Sequence, residues 1–583
     1  MPDERRQFAI LYRGFLLRII DPELLSARGD VRNLLGQLGA LLAAFSFVLA
    51  IVLVPRYTSS GLPKERLLRA AWSHEEFLIA TSIARAGLFA VLAWNSMLLD
   101  RRDRFVLGTL PVHTRTIFAA KIAAMGTALV VGVIAVNTFT GLTFPFAASV
   151  PNSGPLGVIR SFTAYWITMF AAGLFMFCAL LALQGLAAQL FPYRLFLRVS
   201  GFLQLAAFFS VLGIYFLTPA PAKQNLLAWL PSFWFLGLFQ ELNGPLDPIF
   251  GRLAIRAATS LLVAGALGFG LYTIAYYRHV QQALEQPDIA PGDRSQPLGR
   301  LGRFLVMKGI SRPLERAIFL FVARTIARSR QHRLLFAVYG GLGLAIALTY
   351  AKSAFRTGWD KANVQFLAAT AVLLFFSIVG LRAIFALPLA LAANWIFRIT
   401  AVHSPNGYFT AIRKCLLALG AGPPVVCSAI LLLAIWPGRP ALEHLAVLTA
   451  AAFLLVDLFL YRFRKLPFAC SYLPGGGNLK LKFGAYGIGL VFLADLATHI
   501  EFWALHRFPR FVVLLGLLAA VAVWAYRRRA AIAGSPYTPL QFVDLPPADI
   551  FALDFRRDSE WIGGEQYIDI PPDGQPAFPS TRR

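Results

Sequence analysis

Five ionisable side chains lie inside long apolar stretches of this 583-residue chain and are the first candidates for chemistry. Charge inside lipid is costly unless a partner or a polar cavity compensates it, so such residues often mark a transport path. Arg85 and Asp457 have opposite charges and could pair between two parts of the chain. The alternative for all five is a contact that only packs helices together. The candidates for a translocation path are Arg85, Arg382, Asp457, Asp495 and His499.

Asp495 and His499 are four residues apart, which places both on one helical face and would suit a proton or a metal ion. No HExxH pattern and no third ligand accompany them. The cysteines form no CxxC pair, so neither a thiolate metal site nor a disulfide framework is indicated. They are Cys178, Cys415, Cys427 and Cys470. We therefore predict no metal site and no cofactor bound by this chain.

His74, Glu75 and Glu76 form the one acid-base group that suits a membrane enzyme acting on lipid-linked substrates. They precede a predicted span, where carboxylates are favoured at a helix N-terminus, and we expect that capping role. The glycine-rich stretch Gly475–Lys480 lacks the Gly-Lys-Ser/Thr end of a phosphate-binding loop. The chain is therefore expected not to be an enzyme, and any ATP and Mg²⁺ would belong to a separate subunit.

Composition indicates a membrane protein. The chain is 57% hydrophobic and 14% charged, with a mean hydropathy of +0.63. The net charge of +26 would suit nucleic acid, but Lys and Arg lie mainly in short segments between apolar runs. That pattern is typical of membrane orientation and of contact with anionic lipid, so no nucleic-acid partner is expected.

Apolar runs of about 20 residues predict an all-α polytopic protein with about twelve spans in two sets of six. The first set is Leu34–Val54, Phe77–Leu98, Ile117–Phe146, Ser161–Leu190, Phe196–Leu217 and Ala254–Tyr276. The second set is Leu334–Tyr350, Val364–Leu387, Ile412–Trp436, Leu442–Leu460, Phe483–Leu505 and Phe511–Tyr526. Helical spacing at Phe8–Ile20 and Arg312–Arg330 predicts an interfacial amphipathic helix before each set.

The resulting division has five parts. They are an N-terminal interfacial helix (1–32), a six-helix half (33–277), a linker with the second interfacial helix (278–333), a second six-helix half (334–529) and a Pro-rich tail (530–583). The tail is acidic and aromatic, and we interpret it as a docking or regulatory segment, with disorder as the alternative. The Lys and Arg bias places both termini in the cytoplasm of a cell, with the bacterial inner membrane as the expected location.

The two halves share a local pattern after their second spans. PVHTRTIFAAK in the first half matches AVHSPNGYFTAIRK in the second, with a His, a hydroxyl residue and a Lys in corresponding places. This internal similarity predicts two tandem copies of one unit. The matched pairs are His113 with His403, Thr114 with Ser404, and Lys121 with Lys414.

An aromatic segment interrupted by proline, Leu226–Leu242, predicts a hairpin that dips part-way into the outer leaflet. Trp229, Pro231, Trp234 and Phe235 are its candidate residues, with an aromatic surface belt as the alternative. Together with the basic loop Asp100–Lys121, which carries Leu-Pro-Val, this segment resembles the permease subunits of type-2 ATP-binding-cassette exporters.

That resemblance implies an ATP-binding partner, as a dimer, docked on cytoplasmic loops, and an amphipathic or hydrophobic substrate. In that family the loop after the second span contacts the ATP-binding subunit. The resemblance therefore implies a first coupling contact in this loop, to which we add Arg104, and a second contact at the corresponding place in the other half. The alternatives to a transporter are a membrane-embedded enzyme acting on lipid-linked substrates and a membrane scaffold without transport. The implied coupling residues are Arg104, Leu110, Pro111, Val112, His113, Thr114 and Arg115, with His403, Ser404, Pro405 and Asn406 in the second half.

Overall fold

The computed structural model describes residues 2–20, 43–44, 46–53, 64–97, 110–148, 154–218, 229–244, 248–285, 310, 312–358, 361–385, 405–461, 463, 467–468 and 494–534. The regular elements of these residues are all helices. The expected all-α class is confirmed for this part of the chain.

In the described part of the first half, eight helices are numbered here. They are α1 (Pro2–Ile20), α2 (Lys64–Leu92), α3 (Trp94–Met97), α4 (Thr114–Ala148), α5 (Gly154–Leu190), α6 (Tyr193–Leu217), α7 (Pro231–Asn243) and α8 (Ile249–Glu285). Residues 46–53 are also helical. Helix α8 continues past the expected boundary at residue 277, and Pro287 follows shortly after its end.

The described part of the second half also consists of helices. They are α9 (Pro313–Arg328), α10 (Arg330–Thr357), α11 (Val364–Ile384), α12 (Pro405–Cys415), a π-helix (Leu416–Ala421), α13 (Gly422–Ile435), α14 (Gly438–Leu460) and α15 (Phe508–Gly534). Residues 494–505 are helical as well.

Among the described residues, nine helices are long and apolar enough to cross a membrane. They coincide with nine of the predicted spans, which confirms a multi-pass membrane protein. The predicted spans Leu34–Val54 and Phe483–Leu505 lie partly outside the described residues. The second predicted span lies in α2, which is more polar than the nine because it carries Glu75, Glu76 and Arg85. The total of twelve stays a prediction.

Helix α2 tolerates this charge because it lies inside the first half, packed against α4, α5, α6 and α7. The helices around it alternate in direction. Val133 of α4 lies against Gly173 of α5, and Asn137 bonds to Tyr165, so α4 and α5 are antiparallel.

The two halves meet along α6 and α10, which run parallel. Arg333 lies against Gly201 near their starts, and Gly341 lies against the ring of Phe208. We call the end of the bundle where α4, α6, α10 and α12 begin the α1 face, because α1 packs there on α4.

A proline pair causes the π-helix. Pro424 has no N–H for the carbonyl oxygen of Gly420 one turn earlier, and a π-turn is a common way to accommodate such a break. Ser377 of α11 donates its hydroxyl to that oxygen at 2.6 Å. The freed carbonyl is therefore satisfied by a neighbouring helix.

Candidate functional site

Arg85 lies on α2 in the interior of the first half. Its Nε donates to the backbone oxygen of Thr81 at 3.0 Å, and its Nη2 lies 3.5 Å from Ser82 Oγ. Its Nη1 is buried and has no hydrogen-bond partner among the described residues. None of the ion pairs found in the described ranges involves Arg85. This arginine is therefore held by its own helix and by neutral groups.

Neutral polar side chains continue from Arg85 across three helices. Asn137 Nδ2 of α4 donates to Ser82 Oγ at 3.2 Å, and Tyr165 of α5 donates to Asn137 Oδ1 at 3.1 Å. Asn137 and Tyr165 are each only 1% exposed. Thr140 Oγ1 lies 3.0 Å from the Tyr165 hydroxyl and 3.3 Å from Ser46 Oγ. We call Thr81, Ser82, Arg85, Asn137 and Tyr165 the Arg85 cluster.

Two buried carboxylates lie further along α2, away from the α1 face. Gln240 of α7 donates to Glu75. Ser232 of α7 bonds to Glu76, and Lys352 of α10 interacts with the same carboxylate. This contact brings a cation of the second half to a carboxylate of the first half.

The expectation that these carboxylates cap a helix is wrong. Helix α2 begins at Lys64, so Glu75 and Glu76 lie well inside it rather than at its N-terminus. Glu76 instead bonds to Ser232 in the first turn of α7, and Glu75 to Gln240 near the end of that helix.

Asp457 does not pair with Arg85, contrary to the sequence-based suggestion. It lies on α14 in the second half and accepts from Arg413 Nε at 2.8 Å, from Arg413 Nη2 at 3.0 Å, and from Arg529 Nε at 2.8 Å. Its side chain is fully buried. This buried carboxylate therefore binds two arginines.

Arg382, at the end of α11, donates to the backbone oxygen of Phe459 at 3.3 Å and lies over the ring of Phe463. The other two candidates form a local pair, with His499 Nδ1 at 3.5 Å from Asp495 Oδ2 and both side chains exposed. No group of three His, Cys, Asp or Glu in the described part of the chain could hold a metal ion.

A buried histidine that sequence reasoning passed over lies between α11, α14 and residues 494–505. His444 Nδ1 is 2.7 Å from Glu501 Oε1, and its Nε2 is 2.8 Å from Thr370 Oγ1. Hydroxyl, imidazole and carboxylate occur here in the order of a nucleophilic triad. However, the Thr370 hydroxyl lies 2.9 Å from the backbone oxygen of Leu367, and all three side chains are buried. We assign this group to helix packing.

The first coupling segment forms the exposed turn that starts α4. Helix α4 begins after His113, whose backbone oxygen accepts from the N–H groups of Thr116 and Ile117 at 2.9 and 3.2 Å. The side chains of Leu110, Pro111, His113 and Arg115 are exposed, while Val112 and Thr114 are half-buried. Arg104, His403 and Ser404 lie outside the described residues, and Pro405 and Asn406 are the first residues of α12.

An open cleft of about 390 Å³ lies beside this turn, between α1 and the start of α4. Its walls combine charge with apolar surface, since Arg5 and Arg115 border it together with Phe8. The remaining lining residues are Glu4, Thr116 and Ala119. The Tyr12 hydroxyl donates to Thr127 Oγ1 at 3.0 Å and so joins α1 to α4 next to the cleft.

The four candidate residues of the predicted hairpin differ in how far their side chains are exposed. Trp229 is 82% exposed, and Pro231 is the first residue of α7. Trp234 is half-buried and Phe235 is completely buried. Because α7 packs on α5 and α8, this segment is part of the first half's core rather than a surface belt alone.

Comparisons with protein-family models, curated proteins and solved structures found no match to this chain. The resemblance to exporter permeases therefore stays a prediction.

Sequence reasoning found Arg85 but missed its neighbours. Asn137, Thr140 and Tyr165 are ordinary residues in apolar runs, and only the packing of α4 against α2 and α5 brings them together. A usable signal was present in α4, where Asn137 and Thr140 follow one another at helical spacing in an apolar segment.

Proposed function

We propose that this chain is the membrane-spanning permease of an ATP-binding-cassette transporter, driven by separate ATP-binding subunits that dock on the α1 face. The observation that carries the proposal is the exposed turn from Leu110 to Arg115, which continues directly into the 35-residue helix α4.

The turn has the mechanical properties that such a contact needs. Pro111 restricts the backbone, and the exposed Arg115 guanidinium can pair with carboxylates of a partner. A displacement of the turn moves α4 as a rigid element. Because α4 carries Asn137, that displacement changes the polar contacts around Ser82 and Arg85.

Two corresponding contacts support tandem duplication as part of the proposal. In the first half α1 packs on α4, and Lys121 Nζ of α4 lies 5.4 Å from the ring centre of Phe15. In the second half α9 packs on α12, and Lys414 Nζ of α12 lies 2.6 Å from Glu315 Oε2. Each interfacial helix thus holds the lysine that the sequence alignment matched. On this proposal the α1 face is cytoplasmic and the second docking contact lies at the start of α12.

The test is co-purification of the tagged full chain with ATP hydrolysis measured in the eluate. The test variant is Pro111→Ala with Arg115→Ala. The matched control is Pro248→Ala with Arg252→Ala, which alters an exposed proline and an exposed arginine at the same spacing beside the start of α8, at the opposite end of the bundle.

We expect an ATP-binding protein to accompany the wild type and the control and to be lost from the test variant. If the wild type brings down no ATPase, the proposal fails. If the test variant recovers as much ATP-binding protein as the wild type, then the partner exists but does not dock on this turn.

A further inference from the structure

Arg85 carries a charge that the described part of the chain does not neutralise. The guanidinium group stays protonated in proteins, so burial cannot be relieved by losing the proton. Its contacts are a backbone oxygen and the hydroxyl of Ser82, and its buried Nη1 has no partner there. Arg85 is half-buried, and a charged group inside a membrane protein needs an opposite charge, backbone oxygens or a polar cavity beside it. A bound anion would supply the opposite charge that the described residues do not.

The second half shows how this protein treats buried arginines that only serve structure. Arg413 and Arg529 both donate to the buried carboxylate of Asp457. No such carboxylate faces Arg85 in the described residues. Arg413 and Arg529 thus belong to a structural ion pair, whereas Arg85 is a cation that is available to a ligand.

The surroundings of Arg85 indicate which kind of anion this site suits. Planar guanidinium groups bind carboxylate and phosphate oxygens through two N–H groups, and nearby hydroxyl groups of Ser82 and Tyr165 can add hydrogen bonds. The same stretch of α2 packs against apolar side chains, with Ser82 beside Met169 and Gly87 beside Met176 and Val211.

We propose that the Arg85 cluster binds the anionic headgroup of an amphiphile, a single phosphate or carboxylate attached to an apolar chain. Arg85 pairs with the headgroup. When α4 moves, Asn137 changes its hydrogen bond to Ser82 beside Arg85. The inference deepens the proposed transport function and rests on it only in treating the amphiphile as cargo.

Binding of dodecyl phosphate to the purified full chain in a neutral maltoside detergent tests the proposal. The maltoside supplies the apolar chain without charge, and inorganic phosphate supplies the charge without the chain. Affinity is measured by isothermal titration, and ligand-dependent shifts of the unfolding temperature give a second readout.

We expect saturable binding of dodecyl phosphate to the wild type, at least tenfold weaker binding to Arg85→Gln, and an intermediate affinity for Arg85→Lys. The matched control is Arg333→Gln, because Arg333 is also half-buried and also donates to a backbone oxygen, that of Ala327 at 3.0 Å, but has no buried N–H without a partner among the described residues. Its affinity is expected to equal that of the wild type. Without ligand, Arg85→Gln is expected to unfold at a higher temperature than the wild type, because an uncompensated buried charge has been removed.

Three results would overturn the inference: no binding to the wild type, equal binding to Arg85→Gln, or equal losses in Arg85→Gln and Arg333→Gln. Tighter binding of inorganic phosphate than of dodecyl phosphate would overturn the assignment of an amphiphile. If Arg85→Gln does not fold, Arg85→Lys and Tyr165→Phe provide the comparison, and unchanged affinity in both contradicts the proposal. Dodecyl phosphate binding without an associated ATPase would contradict transport alone, whereas ATPase association without binding would contradict this inference alone.

Discussion

Single buried charges differ in role between the two halves. Asp457 has no exposed surface and is surrounded by Arg413 and Arg529, whereas Arg85 contacts only neutral groups in the described residues. Removing one member of a buried ion pair leaves an uncompensated charge, which is more damaging than losing an exposed pair. The charge of Asp457 is therefore matched by two cations, whereas no carboxylate among the described residues matches the charge of Arg85.

Replacing Asp457 by alanine is expected to destabilise the protein strongly, because two arginines then lose their carboxylate. We expect a loss of about 3–5 kcal/mol in the free energy of unfolding. The measurement is denaturant unfolding of the purified chain in mixed micelles.

The control for this change is Asp495→Ala, which removes an exposed carboxylate that contacts His499 and the Tyr350 hydroxyl. Its effect is expected to stay within about 0.5 kcal/mol. Similar losses for both variants would show that Asp457 is not the structural charge described above.

Sequence alone identified the residues but not their partners. Arg85, Arg382 and Asp457 stood out because charge is rare in apolar runs, but which cation faces Asp457 depends on how α12, α14 and α15 pack. The capping role expected for Glu75 and Glu76 was wrong for a related reason. The helix starts earlier than the apolar run does, since Lys64 to Arg69 is polar but still helical.

At the scale of elements, α4 connects the exposed turn at Leu110 to the polar interior at Asn137. The length of α4 was predictable from its apolar run, but the contact of Asn137 with Ser82 was not. Pro145 lies near the end of α4 and leaves its central part regular. Element lengths and types were predictable from apolar periodicity, while the depth of α2 inside the bundle was not, because its charges make it resemble a surface helix.

The π-helix before α13 depends on one side chain of another helix. Ser377→Ala leaves the Gly420 oxygen without its donor in a buried place, which is expected to cost about 1–3 kcal/mol. Thermal unfolding in detergent checks the change.

The control is Ser210→Ala, which removes an exposed hydroxyl from α6. No shift in its unfolding temperature is expected. If Ser377→Ala also leaves the temperature unchanged, then the Ser377 hydroxyl does not stabilise the π-turn.

At the scale of the whole molecule, the halves are joined along α6 and α10. Gly341 permits this contact because a Cβ atom there would meet the ring of Phe208. Gly213, on α6, has open space around the position of a Cβ atom. The two glycines therefore allow a paired test of the interface.

Gly341→Ala is expected to lower stability by about 1–3 kcal/mol through overpacking. Gly213→Ala is expected to raise it by up to about 1 kcal/mol, because alanine favours a helix. Unfolding in mixed micelles checks both signs. Stabilisation by both substitutions would contradict close packing of the halves at Gly341.

The overall architecture was largely predictable, since nine described helices coincide with predicted spans. How the halves associate was not, because the contact of α6 with α10 depends on small residues that no hydropathy pattern marks. Two tandem copies of one unit are a proposal that the matched lysine contacts support, while the ATP-binding partner is a proposal that rests on the exposed turn.

Site-specific photo-crosslinking in cell membranes tests the central claim most directly. A photoreactive residue replaces the exposed His113 in one sample and the exposed Trp229 in the other, and the crosslinked protein is identified by mass spectrometry. We predict that a protein with a phosphate-binding loop is captured at position 113 and not at position 229, and that added ATP changes the yield. Absence of any ATP-binding protein at position 113, or equal capture at both positions, would contradict an ATP-driven role for the turn that begins α4.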